Sequence, residues 1–422
     1  MGIFLNGVVL PFQKGNAPLN KIEDFRAQSA VRVPLIRLDM DTPVPSLPFA
    51  ENAPVAAGSV LYSEGNELPV LAPVAGTFSG TVVLQHPQYG KLLCAELIPS
   101  DGDEETLSIL PDEELTADDI LRIARDAAIY DELDGVPLAE KLACWQLPED
   151  DVASPNYVLV ADAIENDVFG SSAWAILAEE PETALTGLKL AAKALHFTRY
   201  HIATMLPKEK RRALKRAINR INVYTVGDEY PVTQYADARD EVFRIGIQTC
   251  LALAKAVQQG RKSLSTVITV AGDGVIGSRN LRVPYGTEIA DILSAFNVNG
   301  QVSVILGDAM TGIACPDTHT PLLPGTTTLL VMKPRAERVP QPCIGCGRCA
   351  TVCHAQLLPY EIVRRAENMH YERLRRLNAQ LCDGCGACSY ICPADRDVAA
   401  AVLRAGETTG PVFLNWGDNE NE

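Results

Sequence analysis

Eight of the twelve cysteines lie in two short runs, CIGCGRCATVCH and CDGCGACSYICP, near the C-terminal end of the sequence. Each run has the spacing C-x2-C-x2-C-x3-C. The cysteines of the two runs are Cys343, Cys346, Cys349 and Cys353, then Cys382, Cys385, Cys388 and Cys392. Soft thiolates at this spacing, with glycines that let backbone amides approach inorganic sulfide, are typical of iron–sulfur cubes. The two runs therefore predict two [4Fe-4S] clusters.

In two-cluster ferredoxin folds, the fourth cysteine of each run binds the cluster of the other run. By this precedent, the first cluster is bound by Cys343, Cys346, Cys349 and Cys392, and the second by Cys382, Cys385, Cys388 and Cys353. Pro393 follows the last cysteine, as the bacterial pattern prefers, whereas His354 follows Cys353. The histidine changes the surroundings of the second cluster and removes no ligand.

Two other uses of clustered cysteines fit the sequence less well. A disulfide scaffold is typical of short secreted chains, and the N-terminal residues show no signal peptide. Zinc would accept four thiolates per site, but zinc-binding cysteine pairs are usually separated by longer inserts. We therefore keep zinc as an alternative to iron–sulfur clusters and set disulfides aside.

The composition excludes several classes of protein. The 422 residues include 37 basic and 53 acidic side chains, and the net charge of −16 argues against nucleic-acid binding. No uninterrupted apolar stretch reaches the roughly 18 residues that a transmembrane helix needs. The N-terminal segment also lacks a myristoylation signal. We therefore expect a cytoplasmic protein that reaches the inner face of a membrane only through a partner.

The remaining sequence divides into segments of different periodicity. Short segments rich in Val, Pro and Gly predict an all-β module in residues 1–110. Strand and helix patterns alternate in residues 115–262, which predicts an α/β layer with a mainly parallel sheet. Residues 263–335 read as strand, strand, helix and strand, the order of a β-grasp unit. Residues 336–405 contain the cysteine runs, with a helical span expected between them, and residues 406–422 form a polar tail.

A basic stretch, KEKRRALKRAINR at residues 208–220, stands out in this acidic chain. We interpret it first as the solvated face of a helix. The alternative is a docking patch that attracts an acidic redox partner by electrostatic steering.

The four isolated cysteines carry weaker predictions. Cys94 and Cys144 have apolar neighbours and are expected in the core. Cys250, in IGIQTCLALAKAV, is expected on the buried face of a helix, and Cys315 is expected in a loop.

The order of segments resembles the C subunit of the Rnf complex, the ion-translocating ferredoxin:NAD oxidoreductase, from about Val33 to Arg404. LAPVAGTFSGTV is similar to the family's barrel-sandwich hybrid motif, RVPYGTEIADIL and ILGDAMTG to its SLBB region, and the cysteine runs to its ferredoxin-like module. The resemblance implies a multidomain protein of the α/β and α+β classes. Its domains would be a barrel-sandwich hybrid, an α/β domain like the complex I flavoprotein, an SLBB β-grasp unit and a 2[4Fe-4S] ferredoxin-like domain.

The family also includes soluble proteins, such as the cobalamin reductase of propanediol-utilising bacteria and the electron-transfer protein of proline reductase. In the related flavin domain, a loop close to G-x-G-G-A-G-F-P-T-x-x-K binds FMN and nicotinamide, because its glycines let the phosphate meet backbone amides. The corresponding stretch here is IYDELDGVPLAEKL, residues 129–142. The family positions that it retains are Gly135, Pro137 and Lys141.

The other glycine positions of this loop carry larger side chains. Asp131, Glu132 and Asp134 would set three carboxylates against a phosphate, at a cost of about 1 kcal/mol or more per close contact. A second family motif, near N-G-A-E-C-E-P, corresponds to DAIENDV at residues 162–168 and keeps one acid. We therefore expect no FMN, while the cluster module is complete.

These observations predict an electron-transfer protein, which takes electrons from one protein and passes them through two [4Fe-4S] clusters to another. The chain would be a component of a multi-subunit oxidoreductase, with no catalytic residues of its own. The partner would be a membrane Rnf-like complex or a soluble reductase, and the chain would not insert into a membrane. Two alternatives remain open: an FMN-dependent NADH oxidoreductase subunit of an Rnf-like complex, and a scaffold with zinc in the cysteine sites.

Overall fold

A computed structural model describes most of the chain. The described residues are 7–11, 13–14, 21–38, 45–65, 68–111, 114–146, 156–165, 167–218, 223–298, 300–336, 338–369 and 371–409. The chain forms two compact units. The cysteine unit comprises Met1–Pro11, Gly227–Thr233 and Arg335–Glu422, and the main unit comprises Phe12–Val226 and Gln234–Pro334.

The described strands are β1 Val8–Val9, β2 Glu23–Asp24, β3 Val31–Arg37, β4 Pro54–Val55, β5 Val60–Tyr62, β6 Val70–Leu71, β7 Gly76–His86, β8 Gly90–Pro99, β9 Tyr157–Ala163, β10 Tyr200–Thr204, β11 Val223–Thr225, β12 Glu229–Tyr230, β13 Glu241–Gly246, β14 Ser265–Ala271, β15 Arg279–Pro284, β16 Ser303–Leu306, β17 Ile313–Cys315 and β18 Thr328–Met332. The described α-helices are α1 Ala117–Asp126, α2 Leu138–Cys144, α3 Ser172–Glu179, α4 Pro181–Ala194, α5 Lys208–Ala217, α6 Ile247–Gln259, α7 Ile289–Ser294, α8 Arg348–Thr351, α9 Pro359–Glu367, α10 Tyr371–Arg376, α11 Ala387–Tyr390 and α12 Val398–Thr409.

Strands β3, β4, β7 and β8 of the main unit form an antiparallel sheet of order β3-β8-β7-β4, and β5 and β6 form a short hairpin. Alternate residues of β3 are buried, as expected for a strand with one face toward a core. Phe78, Leu93 and Leu97 extend this core across β7 and β8. The all-β character predicted for this part of the sequence is confirmed.

A parallel sheet of order β11-β10-β9-β13 forms the centre of the main unit. Strand β9 is buried along nearly its whole length, because helices cover a parallel sheet on both faces. Helices α4 and α6 pack closely, and a Cβ on Gly187 would lie 1.7 Å from the carbonyl oxygen of Cys250. The predicted strand in β9 and the predicted helix in α4 are confirmed.

The third sheet of the main unit is mixed, with the order β17-β16-β18-β14-β15-β2. Strands β14 and β15 form an antiparallel hairpin, and β14 pairs in parallel with β18. Helix α7 packs Ile289 and Ile292 into the core of this sheet. The predicted order of strand, strand, helix and strand is confirmed by β14, β15, α7 and β16, and the further strands β17 and β18 were not predicted.

The cysteine unit is mostly helical and contains the short antiparallel pair β1-β12. Its core includes Ile362, Leu374 and Val402 from three helices. The helical span expected between the cysteine runs is broken into α9, α10 and a 3-10 turn at Ala379–Leu381. The tail beyond residue 409 lies outside the described residues.

Two of the weaker cysteine predictions are wrong. Cys144 is exposed rather than in the core, because it lies at the C-terminal end of α2. Cys315 is buried at the end of strand β17 rather than in a loop, and burial raises the pKa of its thiol. Cys94 and Cys250 are buried as predicted.

Candidate iron–sulfur centres

The two cysteine runs fold into the same local structure. Gly345 and Gly347 in the first run have φ values of 69° and 72°, and Gly384 and Gly386 in the second have 75° and 81°. Glycine adopts this left-handed region at little cost, whereas a side chain would be strained there. Each run then enters a four-residue helix, α8 or α11. Each cysteine run therefore forms a tight loop followed by a short helix.

A cavity of about 420 Å³ lies beside the first run. The cysteines that line it are Cys343, Cys346, Cys349 and Cys392, of which the last comes from the second run. A Cβ on Gly345 or Gly347 would meet no atom within 4 Å, so the loop borders open space. Four soft sulfur donors around a cavity of this size fit an iron–sulfur cluster.

Cys353, the fourth cysteine of the first run, lies near cysteines of the second run. Cys353 is close enough to Cys382 and Cys388 to raise the pKa of both thiols by charge repulsion. Burial is the larger cause, and it raises the pKa of Cys385 and Cys388 to about 12. Because bare thiolates are disfavoured here, deprotonation would accompany the binding of positively charged iron.

Backbone amides already point at several of these sulfurs. The amide of Leu357 donates to Cys353 Sγ at 3.4 Å. Hydrogen bonds from the backbones of Gly384 and Ala387 oppose the rise in the pKa of the Cys382 and Cys385 thiols. Such bonds favour the thiolate form and tune the potential of a bound cluster.

The two candidate sites are adjacent. Cys349, from the first site, is among the residues whose charge raises the pKa of Cys388 in the second. Both cysteines belong to the apolar core of the cysteine unit. Outside this core, the Tyr230 hydroxyl donates to the Cys385 carbonyl at 2.7 Å and ties the second loop to strand β12.

Charged side chains surround the two sites differently. The cavity of the first site is lined by Arg348, Arg364 and Arg396, together with two glutamates. At the second site, Asp383 accepts from the Cys385 amide at 3.1 Å and pairs with His354 at 2.9 Å. His354 is therefore half-buried beside a carboxylate.

Contacts between its own residues stabilise the loop that corresponds to the flavin loop of the family. Its Gly135 has φ 72°, and Pro137 directly precedes helix α2. Lys141 pairs with Asp131 and Asp134, at 2.6 Å to the latter. Thus Gly135 and Pro137 lie in the loop before α2, whereas Lys141 lies within α2 and binds carboxylates of the loop.

Amides of this loop that could have faced a phosphate already have acceptors within the chain. The Asp131 amide donates to the Val136 carbonyl at 2.8 Å, and the Gly135 amide donates to the Asp131 carbonyl at 2.8 Å. The Leu133 amide donates to the Asp131 carboxylate at 3.3 Å, and the Val136 amide to the Asp134 carboxylate at 3.1 Å. The loop residues present do not fit an FMN phosphate.

The acidic side chains of the second family motif likewise make contacts within the chain. Asp162 accepts from Arg244 at 3.2 Å, while burial raises the pKa of this aspartate to about 6. The Glu165 carboxylate accepts from the Ala173 amide at 2.5 Å, at the start of α3. Burial raises the pKa of Glu165, and the charge of Lys14 opposes that rise.

Lys14 and Tyr230 did not emerge from the sequence. Lys14 reaches Asp167 and Gly170, more than 150 positions along the chain, and Tyr230 reaches Cys385 across 155 positions. Neither residue lies in a motif. A periodicity or spacing argument therefore had no signal with which to find them.

Comparison with known proteins identifies the cysteine module. A protein-family profile described as a 4Fe-4S dicluster domain matches residues 342–396. A crystal structure of an NAD+-reducing [NiFe]-hydrogenase in the H2-reduced state has a similar fold, with a TM-score of 0.50. The match has 16% identity and covers 70% of this chain and 63% of that one, so it shows the fold alone.

Relatives in sequence include C subunits of ion-translocating complexes. The C subunit of the ion-translocating oxidoreductase complex of Serratia proteamaculans is 24% identical, over 74% of this chain and 48% of its own length. The C subunit of the proton-translocating ferredoxin:NAD(+) oxidoreductase complex of Clostridium ljungdahlii is 26% identical, over 69% of each chain. Its counterpart in the Na(+)-translocating complex of Acetobacterium woodii is 25% identical, over 90% of each.

The chain thus spans about half the length of the Serratia relative and most of the Acetobacterium one. The matches extend well beyond the cysteine module, since the module itself covers only residues 342–396. The chain is therefore a relative of the C subunits of ion-translocating ferredoxin:NAD(+) oxidoreductase complexes, as its sequence resemblance predicted, and it carries a 4Fe-4S dicluster domain.

Proposed function

We propose that this protein is an iron–sulfur electron-transfer subunit, which passes electrons between redox partners through two [4Fe-4S] clusters. The observation that supports the proposal is that the fourth cysteine of each run lies near cysteines of the other run. Cys392 lines the cavity of the first run, and Cys353 lies among the cysteines of the second. This exchange is the arrangement of two-cluster ferredoxin folds.

The ligands follow from this arrangement. The first cluster would be held by Cys343, Cys346, Cys349 and Cys392, and the second by Cys382, Cys385, Cys388 and Cys353. When bound, such clusters supply one-electron redox chemistry. The chain itself holds the sulfurs in place, excludes water with the core around Cys349 and Cys388, and directs amides at the thiolates.

The finer architecture is also a proposal. The N-terminal sheet fits the barrel-sandwich hybrid predicted in residues 1–110, although Met1–Pro11 belongs to the cysteine unit. The parallel sheet fits a complex I flavoprotein-like domain in residues 115–262. The mixed sheet fits an SLBB β-grasp unit in residues 263–335, before the dicluster module of residues 336–405. The separate compactness of the unit that contains Arg335–Glu422 supports the last boundary.

The partners would be redox proteins, as the names of the relatives suggest. Those relatives are subunits of complexes named as ferredoxin:NAD(+) oxidoreductases. Among the described residues, no helix has the length and apolar character needed to cross a bilayer. We expect the chain to attach to the inner face of a membrane through other subunits, or to act with a soluble reductase.

Anaerobic reconstitution with iron and sulfide tests this function. We expect about eight irons and eight sulfides per chain, the content of two cubes. Reduction with dithionite should bleach the visible absorbance and produce EPR signals of two neighbouring clusters. Zinc that binds in place of iron after purification under iron-replete, anaerobic conditions would contradict the proposal and favour a structural scaffold.

A further inference from the structure

The topology of the parallel sheet predicts where a ligand would bind, at the carboxyl ends of its strands. The chain runs from β9 to β10 to β11 on one side of the sheet, whereas β13 pairs with the other side of β9. In open α/β sheets, ligands bind outside the carboxyl ends of the strands, at the point where the strand order reverses. Here this point lies between β9 and β13, where Asp162 is paired with Gly246.

Helix α6 begins at this point. It has 13 residues and follows Gly246 directly, so the amides of its first turn have no acceptors within the helix. Such amides, with the positive end of the helix dipole, bind phosphate and carboxylate groups. An α/β domain with an external anionic ligand at this edge would leave these donors free for it.

The donors are instead taken by a side chain of the loop that corresponds to the flavin loop. The Glu132 carboxyl group accepts from the Gln248 amide at 2.6 Å and from the Thr249 amide at 2.9 Å, and it also accepts from the Thr249 hydroxyl. The neighbouring Asp131 accepts from the Gly246 amide at 2.9 Å. Two successive loop residues therefore cap the start of α6.

Glu132 is also packed tightly in this position. A Cβ on Gly246 would lie 1.9 Å from the carboxyl carbon of Glu132 and about 2 Å from its oxygens. Only a glycine at the junction of β13 and α6 thus leaves room for the glutamate. Glu132 is partly buried here, and burial together with the adjacent Asp131 raises its pKa to about 8.

We propose that Glu132 is an internal ligand, which fills the anion site at the N-terminus of α6 and thereby closes the α/β domain to FMN and other phosphate-bearing ligands. The resemblance implies a phosphate held by the loop of residues 129–142, and in this chain a carboxyl group from that loop takes the amides at the start of α6. This inference does not depend on the clusters. It concerns the main unit, and it can be tested without electron transfer.

Chemical rescue tests the proposal directly. Glu132→Ala removes the atoms beyond Cβ, which correspond to acetate. We expect sodium acetate to raise the melting temperature of this variant by about 2–4 °C more than sodium chloride of equal ionic strength, since a ligand at tenfold its Kd shifts a large domain by roughly this amount. Inorganic phosphate should act in the same direction.

Two controls make the result specific. Asp134→Ala removes an exposed carboxylate from the same loop, and that carboxylate pairs with Lys141 rather than with α6. Acetate should stabilise this variant and the wild-type chain no more than chloride does. Equal effects of acetate on all three proteins would overturn the proposal.

The wild-type chain provides a second measurement, in case Glu132→Ala does not fold. We expect equilibrium dialysis to detect no retained FMN, and neither FMN nor inorganic phosphate should raise the melting temperature of the wild-type protein. Stoichiometric FMN binding by the wild-type chain would overturn the proposal.

Discussion

Replacing Lys14 with methionine should destabilise the main unit by about 3–5 kcal/mol, the usual cost of removing one partner of a buried charge pair. Lys14 is 1% exposed, and its ammonium group donates to the Asp167 carbonyl at 2.8 Å and to the Gly170 carbonyl. The Trp174 ring lies 5.1 Å from the same nitrogen. Methionine preserves the volume, but it removes the charge that opposes the rise in the pKa of Glu165.

A double-mutant cycle separates the charge pair from the lost hydrogen bonds. Hydrogen bonds from a charged donor contribute about 1.5–3 kcal/mol each, so Lys14→Met alone carries both losses. Glu165→Gln should cost less, because its amide oxygen can still accept from the Ala173 amide. The coupling energy between the two substitutions should be roughly 1–3 kcal/mol.

The assay is urea unfolding followed by circular dichroism, with m-values checked for constancy. Lys91→Met, which replaces an exposed lysine of β8, serves as the matched control and should change stability by no more than about 0.5 kcal/mol. A coupling energy within about 0.3 kcal/mol of zero would refute the reasoning. Lys14 would then not compensate the charge of Glu165.

Three further predictions concern the remaining sites. The pKa of Glu132 is raised in the folded state, so the folded protein keeps a proton that the unfolded chain releases. The free energy of unfolding should therefore fall as the pH rises from about 4.5 to about 8. Glu132→Gln should flatten this profile in pH-dependent thermal melts, and an unchanged slope would contradict the assignment. Cys392→Ser should impair the first cluster and Cys353→Ser the second, so that the EPR spectrum of each reconstituted variant loses a different signal; loss of the same signal in both would exclude exchange of the fourth cysteines. Asp383→Asn removes a half-exposed negative charge beside the second site and should raise that cluster's reduction potential by tens of millivolts, on the order of 50 mV after solvent screening; a redox titration that shows a lower potential would contradict this.

The cysteine module could be predicted from sequence because its chemistry is local. Four ligands within eleven residues constrain the loop, and Gly347 and Gly386 are required where the backbone turns into α8 and α11. The strands also followed from periodicity, since the buried run of β9 and the hairpin of β14 and β15 are continuous in sequence. These features need no knowledge of distant residues.

The carboxylates of the flavin-like loop show where such reasoning stops. From the sequence, Asp131, Glu132 and Asp134 were all expected to repel a phosphate at this loop. In the structure, Glu132 caps α6, whereas Asp134 binds Lys141 at the surface. The residue types indicated a conflict with an anion, but the partner of Glu132 depends on an element more than 100 positions away.

The basic stretch and Cys144 illustrate the same limit at the surface. The described part of the stretch forms α5, whose side chains are mostly exposed and bury only Leu214, in agreement with a solvated helix face. A docking role for α5 remains a prediction. Cys144 has apolar neighbours in sequence, but α2 ends there and turns it outward.

The measurement that tests the central claim most directly compares two reductants on the reconstituted chain, under anaerobic conditions and with FMN added. We predict that dithionite bleaches the visible absorbance and produces cluster EPR signals, whereas NADH does neither and no flavin is retained after gel filtration. The electrons would then have to come from another protein. Rapid bleaching by NADH with stoichiometric bound FMN would contradict this account, and the chain would be a flavin-dependent NADH oxidoreductase.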